Sequence, residues 1–324
     1  MRIIVMGTGP FAVPMFTSIL TAGHDVPVVV TRPLPPARGR KKPPVNPLRE
    51  AANQHGLKLL DPVDVNAPDV VSELADLQAD LLVVCDFGQI LSPAVLGVTP
   101  LGGINLHGSL LPKYRGAAPV QWAIINGEAT TGVTVIHMTP KLDGGPALCQ
   151  LEVAIEATET AEQLEHRLAT LGAPAVIDAI DILAKWNQIS TIGTPQDKQL
   201  VTQAPRLHKQ LGNIPWNKPA TAIINLHRGL QPWPGCFTQW QRENGKPLRL
   251  IITTMTLAED SPAHLDVKPG TVVAHPNNDN RENLYIATGE GCISISRIQP
   301  AGKRVLEIDE FLRGYQLIPG AQLG

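Results

Sequence analysis

The stretch Gly103-Ile104-Asn105-Leu106-His107-Gly108-Ser109-Leu110-Leu111-Pro112 decides the fold. Its first part, Gly103 to Leu106, predicts a buried strand, and side chains two apart on a strand point to the same side. Asn105 and His107 therefore project together where the strand stops, at the edge where parallel α/β sheets place their ligands. An amide donor beside an imidazole can stabilise a developing oxyanion and move a proton. A carboxylate, Asp143, follows about one strand–helix–strand unit later.

The chain around this stretch predicts an α/β fold with a Rossmann-like parallel sheet, because apolar runs alternate with helical patterns. The predicted strands are Ile3–Met6, Val26–Val30, Leu81–Cys85, Gly103–Leu106 and, nearer an edge, Val133–His137. The predicted helices are Phe11–Ala22, Pro47–His55, Pro68–Leu77, Pro119–Asn126 and a longer pattern from Thr160 to Trp186. We expect Gly172 and Pro174 to break that last pattern into two helices.

The remaining chain predicts a second domain. A polar segment at residues 190–207 predicts a linker between a catalytic domain at residues 1–189 and a second domain at residues 208–324. One helix, Pro219–Leu230, precedes short strands separated by glycine turns, which suggests a small OB-like β-barrel. These strands are Cys236–Gln241, Leu248–Thr256, Thr271–His275, Leu284–Thr288 and Cys292–Ile298.

Composition limits the class of protein. Hydrophobic residues make up 43% of the 324 residues, enough for a sizeable core, and no apolar run approaches the ~20 residues of a membrane span. The N-terminus lacks the layout of a signal peptide. The four cysteines form no CxxC pair, which argues against a zinc site or a disulfide framework. We therefore expect a cytoplasmic protein without a metal. We also expect a monomer, although none of these features determines the oligomeric state.

Charge is distributed unevenly although the formal net charge is only −2. Between Asp25 and Glu50 there are six cations and no acid, and from Lys198 to Ala258 there are eight cations and one acid. Two basic regions on a near-neutral chain suit a polyanion held against specific surfaces. The alternative is that these are solvated loops whose charge is balanced by acids nearby in space.

The run Gly7-Thr8-Gly9-Pro10-Phe11-Ala12 matches the dinucleotide pattern G-x-G-x-x-G/A and would suggest a nicotinamide enzyme. The second strand, however, ends at Thr31-Arg32 without an acid to hold a ribose hydroxyl. Pro10 also removes an N–H at the helix start, where a pyrophosphate would bind. We favour a tight strand-to-helix turn, with an NADP-dependent oxidoreductase as an alternative.

Several motifs together resemble the formyltetrahydrofolate-dependent formyltransferases. They are Asn105 to Pro112, Arg115-Gly116-Ala117-Ala118-Pro119, Gly132-Val133-Thr134, Leu142-Asp143-Gly144-Gly145, Gln231-Pro232-Trp233-Pro234-Gly235 and Gln299-Pro300-Ala301-Gly302-Lys303. The resemblance implies 10-formyltetrahydrofolate as co-substrate, without a metal. It makes Asn105, His107 and Asp143 the catalytic residues. It also places Ser109, Leu110, Leu111 and Pro112 in the folate pocket. Without the resemblance, Asn105 could be an asparagine that caps a turn at the end of a strand. His107 could be a core histidine whose ring is hydrogen-bonded within the fold.

Two features favour the members of this superfamily that formylate initiator methionyl-tRNA. Gly116-Ala117-Ala118-Pro119 is similar to them, whereas sugar-nucleotide enzymes tend to carry a larger basic residue in place of Ala117. The basic insertion at residues 35–44 resembles the loop that grips the acceptor stem, which implies tRNA contacts from Arg38, Arg40, Lys41 and Lys42. The order of residues in this insertion departs from the order usual in the family, so the arginine that enters the acceptor stem would be either Arg38 or Arg40. A sugar-nucleotide N-formyltransferase and a non-catalytic RNA-binding protein remain alternatives.

Overall fold

The structure is a computed structural model that describes residues 1–36, 44–242, 245–258, 266–274 and 282–324. The chain forms two compact units: residues 1–120, 129–155 and 163–206 make up the first, and residues 121–128, 156–162 and 207–324 the second. Within the described residues, no helix is both long and apolar enough to cross a membrane.

The first unit is built on a seven-stranded sheet. The strands of the first unit are β1 (Ile3–Gly7), β2 (Val29–Val30), β3 (Leu59–Leu60), β4 (Leu81–Cys85), β5 (Gly103–His107), β6 (Arg115–Gly116), β7 (Thr130–His137), β8 (Ala147–Ala154) and β9 (Gln203–Ala204). The sheet order is β3-β2-β1-β4-β5-β7-β8, with β6 and β9 forming a separate pair. Pairing is parallel from β3 to β5 and antiparallel for β7 and β8. The Rossmann-like parallel core is confirmed, and β8 adds an edge strand that the sequence pattern did not predict.

Several helices in this part of the chain begin at a proline. The helices here are α1 (Ala12–Thr21), α2 (Pro47–Gln54), α3 (Pro68–Asp76), α4 (Pro93–Leu96), α5 (Pro119–Ile125) and α6 (Ala161–Ala184), of which α5 belongs to the second unit from residue 121 onward. Proline suits the first helical position because its missing N–H would have no partner there. At the start of α2, the Asn46 side chain also accepts a hydrogen bond from the Arg49 backbone N–H. These two signals explain why the helix starts follow from the sequence.

Helix α6 contradicts the predicted break at Gly172 and Pro174, because it runs unbroken from Ala161 to Ala184 with Pro174 inside it. Fully buried Leu164 and Ile180 lie on either side of the proline. An interior proline costs about 3 kcal/mol, whereas each such buried side chain contributes about 1.5–3 kcal/mol. Packing along one continuous face therefore outweighs the proline. Gly172 lets the helix pack closely against Leu106 of β5, since a Cβ at this position would lie 2.9 Å from the Leu106 side chain.

The second unit is an antiparallel half-barrel, which confirms the expectation of a small barrel-like domain. Its elements are α7 (Ala220–Gly229), β10 (Cys236–Trp240), β11 (Leu248–Leu257), β12 (Val272–Val273), β13 (Leu284–Ala287), β14 (Cys292–Pro300), β15 (Leu306–Glu307) and α8 (Ile308–Gly314). Residues 121–125 of α5 also belong to this unit. The strand order is β10-β11-β14-β13-β12, with β15 beside β14. Inward side chains such as Ile252 and Ile295 pack with Ile223 of α7 and Phe311 of α8 in one core.

The last residues of the chain lie between the two outer strands of this sheet. Leu323 forms a bridge with Trp240 of β10, while Gln322 forms a bridge with Thr271, next to β12. The Val272 N–H donates to Ala321, and the Leu323 N–H donates to Gly270. The C-terminal segment thereby satisfies backbone groups on both edges of the half-barrel.

Candidate active site

The candidate site lies at the end of β5. Asn105 pairs with Val84 of β4 on one side and with Ile136 of β7 on the other, and His107 pairs with Thr134 of β7. His107 is buried and Asn105 is half-buried. Among the described residues, the Asn105 side chain makes no hydrogen bond, so its amide is available to a bound molecule.

The His107 ring is held from one side by the chain and faced from the other by a carboxylate. Its Nε2 lies 2.9 Å from the Tyr114 carbonyl oxygen, and its Nδ1 lies 3.9 Å from Oδ2 of Asp143. A carbonyl oxygen can only accept, so Nε2 carries a proton and donates it to Tyr114. Nδ1 is then the nitrogen available for proton transfer, since 3.9 Å is too long for a direct hydrogen bond to Asp143.

Asp143 is fixed in place by its own turn and by a backbone donor. Its backbone adopts a left-handed conformation with φ of 47°, and its side chain is 11% exposed. Oδ2 accepts a hydrogen bond of 2.9 Å from the Gly116 N–H. Gly145, two residues on, lies so close to the His137 carbonyl that a side chain there would clash with it. The carboxylate is thus aimed at Nδ1 of His107 by a turn that permits little movement.

Residues 194–204, which fall in the segment predicted as a linker, attach to the first unit; we call them the strap. Thr194 exchanges two backbone hydrogen bonds of 2.8 Å with Ala147, just after the Asp143 turn. Gln196 donates to the carbonyl oxygens of Asp143 and Gly145. At its far end the strap pairs in parallel with β6. These residues were not identified from the sequence, because a polar segment without periodicity gives no signal of such contacts.

The loop Ser109–Pro112 is shaped by a polar network on the neighbouring strands. The Thr134 hydroxyl donates to the Ser109 carbonyl at 2.7 Å and accepts from the Leu111 N–H at 3.0 Å. Gln150 of β8 donates to both Thr134 and the Leu111 carbonyl. The Ser109 hydroxyl donates to the Lys113 carbonyl at 2.7 Å. The loop conformation therefore depends on Thr134 of β7 and on Gln150 of β8.

The glycine-rich turn at Gly7–Ala12 already holds an anion from the chain itself. The carboxyl of Asp86 accepts a hydrogen bond from the Gly9 backbone, at a position that a side chain on Gly9 would occupy. Partial removal from water raises the pKa of Asp86 to about 6, and the Gly9 N–H and the Arg32 charge oppose that rise. A pyrophosphate would meet this carboxyl where a dinucleotide site presents N–H groups. The geometry thus argues against the nicotinamide alternative.

The structure therefore brings His107 and Asp143 together, with Asn105 on the same side of β5. The Tyr114 carbonyl and the Gly116 N–H hold them, and neither was identified from the sequence, although Gly116 belongs to one of the motifs that carried the family resemblance and Tyr114 lies just before it. The four predicted tRNA-binding cations, Arg38, Arg40, Lys41 and Lys42, lie outside the described residues.

Comparisons with known proteins give a consistent result along the whole chain. The model of a family described as formyl transferase matches residues 1–180, and that of a formyl transferase C-terminal domain matches residues 206–316. A protein of Rhodopirellula baltica named methionyl-tRNA formyltransferase is 45% identical over 334 residues, which cover 100% of this chain and 96% of the relative. A protein of the same name from Caldanaerobacter subterraneus is 39% identical and is covered over 100% of both chains.

Solved structures share the fold at low sequence identity. WlaRD, a sugar 3N-formyl transferase, has a TM-score of 0.63 and 18% identity, covering 94% of this chain and 99% of that chain. HypX from Aquifex aeolicus, solved in complex with tetrahydrofolic acid, has a TM-score of 0.61 and 15% identity, covering 96% of this chain and 46% of its own length. At such identities the likeness establishes the fold alone.

Proposed function

The chain belongs to the formyl transferase family, among the methionyl-tRNA formyltransferases, and from this premise we propose that 10-formyltetrahydrofolate is its formyl donor. The enzyme transfers a formyl group to the α-amine of methionyl-tRNA, which serves translation initiation. We propose Asn105, His107 and Asp143 as its catalytic residues. The observation that supports this choice is the His107 ring, bonded to the Tyr114 carbonyl and faced by Asp143 beside a free Asn105 amide.

In the proposed reaction, the amine nitrogen attacks the formyl carbon and the electron pair of the carbonyl bond moves to oxygen. The Asn105 amide and the protonated Nδ1 of His107 donate hydrogen bonds to this oxyanion. Each well-placed donor contributes about 3 kcal/mol to the transition state. Nδ1 is assigned to this task because Nε2 is occupied by the Tyr114 carbonyl.

Asp143 completes the proposed reaction. Its negative charge compensates the positive imidazolium of His107 and keeps the ring in place. Through a water molecule, the carboxylate accepts the proton that leaves the attacking amine. The bond between the formyl carbon and N10 of the folate then breaks, and N10 takes up a proton. The products are formyl-methionyl-tRNA and tetrahydrofolate.

We propose that Ser109, Leu110, Leu111 and Pro112 line the folate side of the site. The Ser109 hydroxyl and the Leu111 N–H are used within the loop, so these two residues shape the pocket. Leu110 and Pro112 are half-buried and keep apolar surface for an aromatic ring system. Such a division, with few polar groups among apolar walls, is typical of small-molecule sites.

For the tRNA, we propose contacts from Arg38, Arg40, Lys41 and Lys42 and from cations of the second basic region. In that region Arg228 and Arg249 serve the fold: Arg228 donates to two backbone carbonyls, and Arg249 lies 3.6 Å from the centre of the Phe237 ring. The other six cations are exposed and suited to phosphate contacts; they are Lys198, Arg206, Lys209, Lys218, Arg242 and Lys246. We further propose that the protein acts as a cytoplasmic monomer.

The proposal is tested by incubating the protein with 10-formyltetrahydrofolate and charged initiator tRNA, and by measuring formyl-methionine with mass spectrometry. A parallel reaction with a nucleotide-linked amino sugar tests the runner-up function. We expect product in the first reaction alone, and product in the second alone would overturn the proposal. Asn105→Ala should lower kcat by about 10²-fold, as removal of one oxyanion donor does. Near-normal turnover by this variant would contradict the oxyanion role.

A further inference from the structure

We propose that Gln196 is a positioning residue for formyl transfer, because its side chain couples Arg115 to the turn that carries Asp143. This inference rests on the proposed roles of His107 and Asp143. Among the described residues, the hydrogen bonds of Gln196 go to Arg115, Asp143 and Gly145 and none goes to His107, so it would act through the geometry of its neighbours.

The Gln196 amide makes four hydrogen bonds. Its Nε2 donates to the carbonyl oxygens of Asp143 at 2.8 Å and Gly145 at 2.7 Å. Its Oε1 accepts from Nε of Arg115 at 3.1 Å and from Nη2 at 2.6 Å. The opposite orientation of the amide would set donor against donor and acceptor against acceptor. Both ends of the amide are therefore specified, which a loosely held surface side chain would not show.

The second observation is that the strap also holds residues 114–117, the loop whose Tyr114 carbonyl accepts from His107. Thr202 accepts from the Tyr114 N–H at 2.8 Å and from the Arg115 N–H at 2.9 Å. Ala204 accepts from the Ala117 N–H at 2.8 Å. These bonds hold the loop whose Tyr114 carbonyl accepts from His107 and whose next glycine donates to Asp143. The strap thus ties together the two loops that enclose the His107 ring.

Arg115 explains why an amide is needed at this position. Its side chain is buried, and the Gln196 oxygen is its bonded acceptor. A glutamate would satisfy Arg115 even better, but an ionised carboxylate cannot donate to the carbonyl oxygens of Asp143 and Gly145. A glutamine amide can accept from Arg115 and donate to these two carbonyl oxygens at the same time. The Gln196→Glu variant therefore separates neutralisation of Arg115 from positioning of Asp143.

The test compares Gln196→Leu, Gln196→Glu and the matched control Gln199→Leu, an exposed glutamine of the same strap. In formylation assays we expect both Gln196 variants to lose kcat by about 10²-fold, the usual effect of misplacing a reacting group by about 1 Å. The KM values should change by less than about threefold, and the control should match the wild type. In an Asp143→Asn background, Gln196→Leu should add less than about twofold, because both changes act through one carboxylate.

Hydrogen exchange followed by mass spectrometry gives a readout that does not depend on activity. Peptides covering Gly116 and Asp143 should exchange faster in both Gln196 variants, while peptides from β1 and β4 should not change. Near-wild-type kcat in Gln196→Leu, or full activity in Gln196→Glu, would overturn the proposal. If the wild type formylates no tRNA, the proposed function fails. Unchanged exchange at Gly116 and Asp143 would then refute the coupling, and faster exchange would support it.

Discussion

His227 should make the second unit sensitive to acid. The ring is buried on α7, and Nε2 lies 2.6 Å from the side-chain nitrogen of Gln231, so this ring nitrogen accepts and Nδ1 carries the proton. Burial lowers the pKa of His227 from 6.5 to about 4, and the Thr253 backbone opposes this only in part. The folded state therefore prefers the neutral ring. Its stabilising effect is complete above pH 6.5 and is lost as the pH falls from 6.5 towards 4.

The size of the effect follows from the two pKa values. Their difference corresponds to about 3 kcal/mol at the acid limit, since each pH unit is worth about 1.36 kcal/mol. At about pH 5 the neutral ring is already disfavoured in the unfolded chain, which gives a loss of about 2 kcal/mol relative to about pH 7.5. We expect His227→Gln to remove this part of the pH dependence, because glutamine can still accept from Gln231 and does not titrate.

Native-state hydrogen exchange on peptides from β11 and β14 measures the opening free energy of the second unit at both pH values. His208→Gln supplies the control, because it is the same substitution at an exposed histidine of the second unit. The comparison is between pH slopes, so any uniform destabilisation by the substitution cancels. An identical slope in the wild type and in His227→Gln would refute the reasoning.

Two further outcomes follow from the site and the basic loop. Gly116→Ala should lower kcat by about 10²-fold, because a Cβ would lie 2.5 Å from the Ala204 carbonyl and the shift would break the hydrogen bond to Asp143; unaltered kinetics would show that this bond is dispensable. Substituting Lys41 and Lys42 by alanine should weaken tRNA binding about equally for all tRNA sequences. It should also lower the salt slope of log Kd by about 1 for each phosphate that is no longer neutralised, measured by filter binding at several salt concentrations; an unchanged slope would place phosphate binding elsewhere.

The parts of the fold that followed from the sequence are those with strong local signals. Continuous apolar runs gave the central strands β1 and β4, which are buried on both faces. Prolines at the first helical position gave the starts of α2 and α3. Strand β8 gave no such signal, because half of its residues are exposed and its order comes from pairing with β7. The sequence did not predict an unbroken α6, because the packing of its buried side chains outweighs the helix-breaking tendency of Pro174.

The candidate site likewise has one part that could be predicted from the sequence and another part that could not. Asn105 and His107 are two residues apart on one strand, so their common direction could be derived from the spacing alone. The groups that orient them are a carbonyl oxygen of Tyr114 and an N–H of Gly116, backbone atoms that give a sequence no distinctive mark. Gln196 lies 53 residues from Asp143, in a stretch whose polarity indicated a linker. Interactions that depend on folding over such separations leave no local pattern.

The short C-terminal segment has a practical consequence for handling the protein. Removing residues 320–324 would leave β10 and the segment before β12 with unpaired N–H and carbonyl groups on two sides of one sheet. Exposed strand edges are templates for strand addition from another molecule. The shortened protein should therefore self-associate in proportion to its concentration, even with its catalytic residues intact. A few terminal residues far along the chain from His107 would in this way determine whether the enzyme can be kept in solution.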